Sequence, residues 1–279
     1  ENGPARAIVR AELEYEGSSA RLDYILAAGL PYLDVRVTLD WHGRYQLLRF
    51  SAPTALAFPK AVYETPYGSI ERPTDGDEVP VQTWMTLEGL HRPSGRVAGL
   101  GLLNDAKASA SAQESRLSLT LLRSPIYAHH DPFKPVPGGD YRFMDQGEQR
   151  FNLRLAPYAG TWLTAELPRR ARELNLPGNA VAETYHDGPG APVASYLSVE
   201  PSSVIVTAVK RHEDSDGLIV RAVELAKRPT TATFSFPQWG RTFDWPLGPA
   251  EILTLLVAPD GSVTEVNLLE EPMADGPAR

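Results

Sequence analysis

Carboxylates that could act as a general acid and base are the first feature to test in this sequence. Asp75, Asp77 and Glu78 cluster in a segment rich in Pro and Gly, and Asp214 and Asp216 flank a serine in a turn-like segment. Acid–base hydrolysis needs a carboxyl group whose pKa is raised by burial, and no apolar run adjoins the first cluster. We therefore expect both groups to be solvated turn or loop residues and not a catalytic pair.

Metal-ligand and nucleophile motifs are also sparse. His129-His130-Asp131 is the one local cluster, and adjacent histidines on extended backbone point to opposite sides. The other histidines are isolated, and the sequence has no nucleophile elbow, phosphate-binding glycine loop or dinucleotide fingerprint. We therefore predict no catalytic residue, no bound metal and no cofactor within this chain.

One cation does occupy an unusual position. In the predicted strand 116–123 (RLSLTLLR), alternation places Leu117, Leu119 and Leu121 on one face and Arg123 on that same face. A guanidinium that continues an apolar stripe has to reach water, a carboxylate or a ligand, because an unpaired buried charge is very costly. Arg123 is therefore the candidate binding residue, with a structural ion pair as the alternative.

Composition limits the class of protein. The 279 residues carry a net charge of −8, which argues against a nucleic-acid or acidic-membrane partner. No apolar run approaches the ~20 residues of a membrane-spanning helix. The absence of cysteine excludes disulfides and fits a reducing compartment, so we expect a cytoplasmic location and no membrane association.

The strand pattern predicts an all-β fold in two parts. Short apolar–polar alternations separated by Gly, Pro and Ser recur along the chain, and a Gly/Pro-rich segment at 177–194 divides them. We predict a large domain at 1–176 and a small β-sandwich at 195–279, joined by that linker. Residues 51–91 are expected to be largely irregular, and 161–174 to hold a short helix interrupted by Pro168.

Several strings, in the same order along nearly the whole chain, resemble the C-terminal half of bacterial family 38 α-mannosidases. They include DWH (40–42), ETPYGSIERPT (64–74), LLNDAK (102–107), LTLLRSP (119–125), DQGE (145–148) and LSVEP (197–201). The resemblance implies a large galactose-mutarotase-like supersandwich followed by a smaller β-sandwich. It also implies that zinc, the aspartate nucleophile and the acid/base carboxylate belong to a separate N-terminal catalytic domain.

On this resemblance, the chain is expected to be the non-catalytic C-terminal portion of a zinc-dependent, retaining α-mannosidase. Glu1 leads directly into a strand-like run, so we expect a piece of a longer protein that is inactive alone. Its expected partners are its own catalytic domain and the α-mannoside in a shared cleft. In the family an arginine from the β portion reaches that cleft, and Arg123 matches its motif context.

Two other classes stay open at this point. A stand-alone carbohydrate-binding module would need an exposed aromatic platform, for which Tyr63, Tyr67, Trp84 and Tyr127 are the candidates. An aldose-epimerase-like enzyme would need a His and a Glu that converge from neighbouring strands, whereas the histidines lie mainly in predicted loops and turns.

Overall fold

The computed structural model describes residues 1–184 and 186–273, which form an almost entirely β structure. Strand makes up 53% and helix 4%, so the prediction of an all-β fold is confirmed. One compact unit comprises Glu1–Thr65 and Ile70–Pro177, and the other comprises the turn Pro66–Ser69 with the described residues of Gly178–Arg279. No helix in the described residues is long and apolar enough to cross a membrane.

The first twelve strands form two sheets. The large sheet has the order β1-β2-β3-β12-β9-β8-β5-β6, and the small sheet has the order β4-β11-β10-β7. The strands are β1 (Arg6–Tyr15), β2 (Ser18–Ala27), β3 (Leu33–Trp41), β4 (Leu47–Pro53), β5 (Leu56–Thr65), β6 (Gly68–Arg72), β7 (Val79–Pro80), β8 (Trp84–His91), β9 (Arg96–Asn104), β10 (Ser109–Gln113), β11 (Arg116–Arg123) and β12 (Gly147–Ala159).

The main core lies where these two sheets face each other. Val35, Val37 and Leu39 of β3 belong to the same buried cluster as Leu117 and Leu119 of β11. Each of these strands therefore turns one set of alternate side chains towards the opposite sheet. The small sheet thereby holds β11, and with it Arg123, against the middle of the large sheet.

Helix α1 (Leu167–Asn175) covers the other face of the large sheet. Leu167 and Ala171 pack with Trp84 of β8, Leu103 of β9 and Ala156 of β12. Pro168 lies in the first turn, where its missing N–H deprives the helix of no hydrogen bond. The expectation that Pro168 interrupts a helix was wrong, because the helix begins only one residue before it.

The prediction of an irregular stretch at 51–91 was also wrong, since β5, β6, β7 and β8 all lie within it. Strand β8 is buried on both faces: Trp84 packs under the helix while Met85 and Leu87 pack between the sheets. Such a strand shows a continuous apolar run instead of period-2 alternation. In β5, a register shift between Ala57 and Lys60 breaks the alternation.

The second unit is a smaller sandwich of two antiparallel sheets, ordered β13-β16-β17 and β14-β15-β18-β19. Its core is formed by apolar residues of both sheets, including Val220, Phe234 and Leu253. The strands are β13 (Ser198–Glu200), β14 (Val204–Arg211), β15 (Leu218–Glu224), β16 (Thr230–Phe236), β17 (Arg241–Leu247), β18 (Ile252–Val257) and β19 (Val263–Glu265), with a 3-10 turn at Pro237–Trp239.

Candidate functional site around Arg123

Arg123 is the last residue of β11, and its side chain is exposed. The register between β11 and β4 shifts between Thr120 and Leu122, and both Leu121 and Leu122 are buried in the main core. This bulge breaks the alternation of the side chains after Thr120. The prediction that Arg123 lies on the same face as Leu117, Leu119 and Leu121 assumed an alternation that β11 does not keep to its end. The guanidinium forms no ion pair with any carboxylate of the described residues.

The backbone around Arg123 is firmly fixed. Its N–H donates to Asp145 Oδ2 at 3.0 Å. The next residue, Ser124, is fully buried, and its N–H donates to the carbonyl of Gln46 at 2.9 Å, while its own carbonyl accepts the N–H of Tyr45 at 2.7 Å. The exposed guanidinium is therefore carried on a rigid main chain at the edge of the core.

Lys107 brings a second cation to the same neighbourhood. It lies in the turn after β9, where the Asn104 side-chain oxygen accepts the N–H groups of Ala106 and Lys107 at 3.1 and 2.6 Å. Lys107 Nζ donates to Gln149 Oε1 at 3.0 Å and lies 4.5 Å from the Phe151 ring centroid. Burial lowers the pKa of Lys107, and the nearby carboxylates of Asp145 and Asp105 act in the opposite direction.

Asp145 links these two cations. It accepts the Arg123 N–H through its side chain and the Gln149 amide through its backbone carbonyl at 3.0 Å, and its charge acts on Lys107. The carboxylate of Asp105 bonds to Asn152 instead: its two oxygens accept the backbone and side-chain N–H groups of Asn152 at 2.8 and 2.7 Å. Arg123, Lys107 and Asp145 thus offer mainly hydrogen-bond donors and do not form a pair that could transfer a proton. Such donors suit the binding of hydroxyl-rich or anionic groups.

Sequence reasoning found Arg123 but not its neighbours. Residues 102–107 were used in the sequence analysis only as a motif of the family. No spacing or periodicity in the sequence predicted that Lys107 and Asp145 lie close together. Their proximity arises because the end of β9, the end of β11 and the start of β12 meet at one end of the two sheets. Lys107 lies in the polar turn after β9, and Asp145 lies in the polar turn before β12. These two polar turns are the sequence signal that could have indicated the site.

The carboxylate cluster at 75–78 is not uniformly solvated. Glu78 accepts a hydrogen bond from Thr120 and pairs with Arg49 at 3.2 Å on the small sheet. Burial acts to raise the pKa of Glu78, but hydrogen bonds from Thr120 and Ser109 and the charge of Arg49 outweigh it and lower the pKa. Glu78 is exposed, as expected of a solvated loop residue, but its carboxylate also makes these two contacts on the small sheet.

The remaining members of the predicted carboxylate groups have local roles. Asp75 Oδ1 accepts the N–H of Asp77 at 3.0 Å, which is an Asx turn. Asp216 pairs with Arg211 across the β14–β15 turn, with both side chains largely exposed. These contacts agree with the prediction of turn residues and leave none of them in a desolvated pair.

No group of three or more metal-ligating side chains within 1–184 and 186–273 is arranged to hold a metal ion. His130 Nδ1 lies 2.7 Å from the backbone carbonyl of Asp131, and the His129 ring contacts Tyr141 edge-on. The described residues therefore do not fit a zinc site.

The predicted aromatic candidates divide into two kinds. Tyr63 and Trp84 are each 1% exposed and belong to the core, so neither can stack on a sugar. Tyr67 and Tyr127 are exposed, but they lie in different compact units. Tyr127 follows Arg123 by four positions, and its N–H donates to the carbonyl of Arg142 at 2.8 Å. Of the four candidates, only the two exposed tyrosines are available to stack on a sugar.

The histidines do not form the pair that an epimerase would need. His91 ends β8 and contacts Ser94 Oγ at 2.9 Å, and His42 pairs with Asp40 at 3.1 Å on the surface. The other described histidines lie outside helices and strands. Among the described side chains, no histidine forms an ion pair with a glutamate.

The described residues define an all-β, sandwich-type protein with an exposed arginine at one end of its first two sheets. Comparison with known proteins gives its family. The Glycosyl hydrolases family 38 C-terminal domain matches residues 1–133, and the Glycosyl hydrolases family 38 C-terminal beta sandwich domain matches residues 203–278. The chain belongs to the C-terminal region of glycosyl hydrolase family 38.

Relatives of known name agree with this assignment. The chain is 30% identical over 215 residues to Alpha-mannosidase 2C1 of Homo sapiens, covering 72% of this chain and 19% of that protein. It is 25% identical over 291 residues to Alpha-mannosidase G of Dictyostelium discoideum, covering 97% of this chain and 23% of that protein. The chain therefore spans about a fifth of the length of these relatives.

A solved structure shares the fold. The crystal structure of an alpha-mannosidase from Enterococcus faecalis superposes with a TM-score of 0.69 at 18% identity, covering 86% of this chain and 29% of that chain. The prediction of a family 38 C-terminal β region is confirmed by these matches.

Proposed function

We propose that this chain is the non-catalytic C-terminal portion of a zinc-dependent, retaining α-mannosidase, in which Arg123 completes the mannoside-binding cleft. The observation that carries the proposal is an exposed guanidinium, held on a rigid backbone, with no carboxylate partner in the described residues. A side chain presented in this way is ready to donate to sugar hydroxyls or to a carboxylate supplied by another domain.

The catalytic domain of the same polypeptide is the proposed partner. The named relatives are α-mannosidases in which the matched region is 19% and 23% of the length. Zinc and the two catalytic carboxyls then belong to that domain, since the described part of this chain has no group that fits a metal. The cysteine-free composition makes a reducing compartment, the cytoplasm, part of the proposal.

The same proposal assigns residues 1–176 and 195–279 to two domains joined by a linker at 177–194. Two observations support it: the compact units divide at Pro177, and the described residues between α1 and β13 contain no helix or strand. Both domains would accompany the catalytic domain in the complete enzyme.

The test of the cleft role is Arg123→Ala in the full-length enzyme, with Arg116→Ala as the matched control at the opposite, exposed end of β11. Charge-assisted hydrogen bonds are worth about 1.5–3 kcal/mol each, so Arg123→Ala should lower kcat/KM for an aryl α-mannoside by about tenfold or more. Arg116→Ala should leave kcat/KM unchanged. An equal effect of both substitutions, or of neither, would overturn the cleft role.

A second measurement tests whether the chain is non-catalytic. The purified 279-residue chain should show no hydrolysis of aryl α-mannosides and no stoichiometric zinc by elemental analysis. Turnover that a chelator abolishes would contradict the proposal directly, because it would place the catalytic centre inside this chain.

A further inference from the structure

The hairpin of β1 and β2 has two chemically different faces. One face carries charged residues such as Arg10, whose guanidinium pairs with Asp23 directly across the hairpin at 2.6 Å. The other face is apolar and includes Val9, Leu13 and Tyr15. Alternation of this kind is typical of a strand with one face in water and one face against a core.

The apolar face of β1 is nevertheless exposed. Val9 is 68%, Leu13 58% and Tyr15 53% exposed, although Val35 and Leu39 of β3, on the same face of the same sheet, are 0% and 1% exposed. The difference arises because the small sheet stops at β4 while the large sheet continues to β1. Strand β1, at one edge of the large sheet, therefore presents a core-type apolar surface that the described part of the small sheet does not cover.

A groove marks the place where the small sheet stops. It has a volume of about 500 Å³ and runs between the β1–β2 hairpin and β4. Its lining is mostly apolar and includes Leu13, Tyr15, Leu39, Trp41, Leu47 and Leu48. Its polar groups are few, which suits an apolar occupant better than a sugar.

One wall of this groove is the edge of β4 that no other strand of residues 1–184 or 186–273 pairs with. Strand β4 pairs with β11 on one side and is the terminal strand of the small sheet. Its inward side chains Leu48 and Phe50 are only partly buried against the main core. An edge with free backbone groups beside an uncovered apolar surface is the arrangement to which an added strand binds.

We infer that β4 accepts an additional β-strand from the part of the full-length α-mannosidase polypeptide outside these 279 residues, and that this strand covers the apolar face of β1 and β2. The inference rests on the proposed function, which takes this chain to be part of a longer α-mannosidase. The matched region is only 19% and 23% of the length of the named relatives, so most of such a polypeptide lies outside these 279 residues. A segment of the same polypeptide is present at high effective concentration, which favours it over a second copy of the chain.

The expected strand is amphipathic. Its inward residues would be apolar, to meet Val9 and Leu13, and its backbone would pair with Leu47–Pro53. Pro53 at the end of β4 lacks an N–H, so the pairing should extend over about six residues or fewer. The small sheet would then cover more of the large sheet.

Cysteine labelling tests the inference, because these 279 residues contain no cysteine and labelling can be quantified by mass spectrometry on the peptide that carries the new thiol. Leu13→Cys places a thiol on the apolar face, and Glu12→Cys places its control on the opposite, charged face of the same strand. Both should react rapidly with a maleimide in the 279-residue chain. In the full-length enzyme Leu13→Cys should react at least about tenfold more slowly, whereas Glu12→Cys should keep its rate. Equal rates at Leu13→Cys in the two proteins would overturn the inference.

Hydrogen exchange on the unsubstituted proteins provides a second readout that needs no variant. Amides of 47–53 should exchange more slowly in the full-length enzyme, while those of β14, an edge strand of the second unit, should not change. Protection that already appears in the 279-residue chain and rises with its concentration would show a second copy in the groove and overturn the inference. Protection relieved by an α-mannoside would identify a sugar site and overturn it too.

Neither readout depends on turnover, so the two proposals fail separately. Slow labelling of Leu13→Cys in the full-length enzyme, together with an unchanged kcat/KM for Arg123→Ala, would contradict the cleft role of Arg123 and support the added strand. Unchanged labelling of Leu13→Cys, together with a lowered kcat/KM for Arg123→Ala, would contradict the added strand and support the cleft role.

Discussion

The backbone N–H of Arg123 donates to the carboxylate of Asp145 at 3.0 Å, and this bond closes the loop of residues 124–144 at its base. The two residues are 22 positions apart and belong to the ends of different sheets, since Arg123 ends β11 and Asp145 precedes β12. The bond fixes the backbone of the candidate binding residue, and it closes the loop together with the bonds from the N–H groups of Met144 and Tyr127 to the carbonyls of Pro125 and Arg142 at 3.0 and 2.8 Å.

Asp145→Ala should loosen this loop. Removing the acceptor leaves the Arg123 N–H without its partner, which costs about 1 kcal/mol of unfolding free energy at a solvent-accessible position. Amide exchange and proteolytic cleavage within 124–144 should both become faster. Asp140→Ala, in an exposed part of the same loop, is the control and should change neither rate. Identical loop protection in the two variants would show that Asp145 does not hold the loop.

Arg154 of the large sheet is a buried cation that pairs with the partly exposed Asp34. Arg154 donates to both Asp34 oxygens at 2.6 and 3.2 Å, its side chain is 8% exposed, and its guanidinium lies 3.7 Å from the Tyr32 ring centroid. Asp34→Ala removes the bidentate carboxylate and leaves the buried guanidinium only the exposed Glu173 at 3.7 Å, so it should cost about 3 kcal/mol of unfolding free energy, the lower end for a broken buried pair.

The double variant Asp34→Leu, Arg154→Leu distinguishes an unpaired charge from lost packing. It should be more stable than Asp34→Ala, because no buried charge is left unpaired. Thermal and urea unfolding measure the difference. A double variant less stable than Asp34→Ala would mean that the guanidinium contributes mainly through its contact with Tyr32 and its bond to the Arg170 carbonyl.

Glu78 should make stability depend on pH in the acid range. Its folded-state pKa is lowered, so its contribution is fully present above the unfolded value of about 4.3 and is lost as the pH falls through the folded pKa. The difference in Tm between the natural chain and Glu78→Gln should therefore be largest near neutral pH and should shrink below about pH 4.

The control for this experiment is Glu71→Gln. Glu71 pairs with Lys60 at 3.5 Å, with both side chains more than half exposed. Such a surface pair contributes little, so its Tm difference should stay near zero across the pH series. A Glu78→Gln difference that does not change with pH would mean that the carboxylate charge is irrelevant to stability.

Limited proteolysis tests the two-domain assignment. Glu183 lies in the 177–194 segment and is exposed, so a glutamate-specific protease should cut there early. Both products should keep β-type circular dichroism, because each compact unit has its own buried cluster. Glu183→Gln removes the cut as a control. Rapid loss of either product would show that the two parts do not fold independently.

Local patterns were sufficient where apolar and polar residues alternate along a strand, as in β11. The predicted strand 116–123 coincides with β11 to the residue, and Asp214 and Asp216 lie in a turn between β14 and β15, as expected. Local patterns were insufficient for β8, where Trp84 and Met85 face two different cores. A strand buried on both sides has no alternation to detect.

The sequence by itself determined the all-β class, the family and the choice of Arg123, because alternation, turn residues and motif order are local properties of the chain. Only the tertiary structure decided that a bulge after Thr120 ends the leucine stripe, that Asp145 and Lys107 accompany Arg123, and that Val9 and Leu13 are left uncovered. These features depend on which strands become neighbours and where the small sheet stops. That choice is made by side-chain packing between segments far apart in the chain, which no local periodicity encodes.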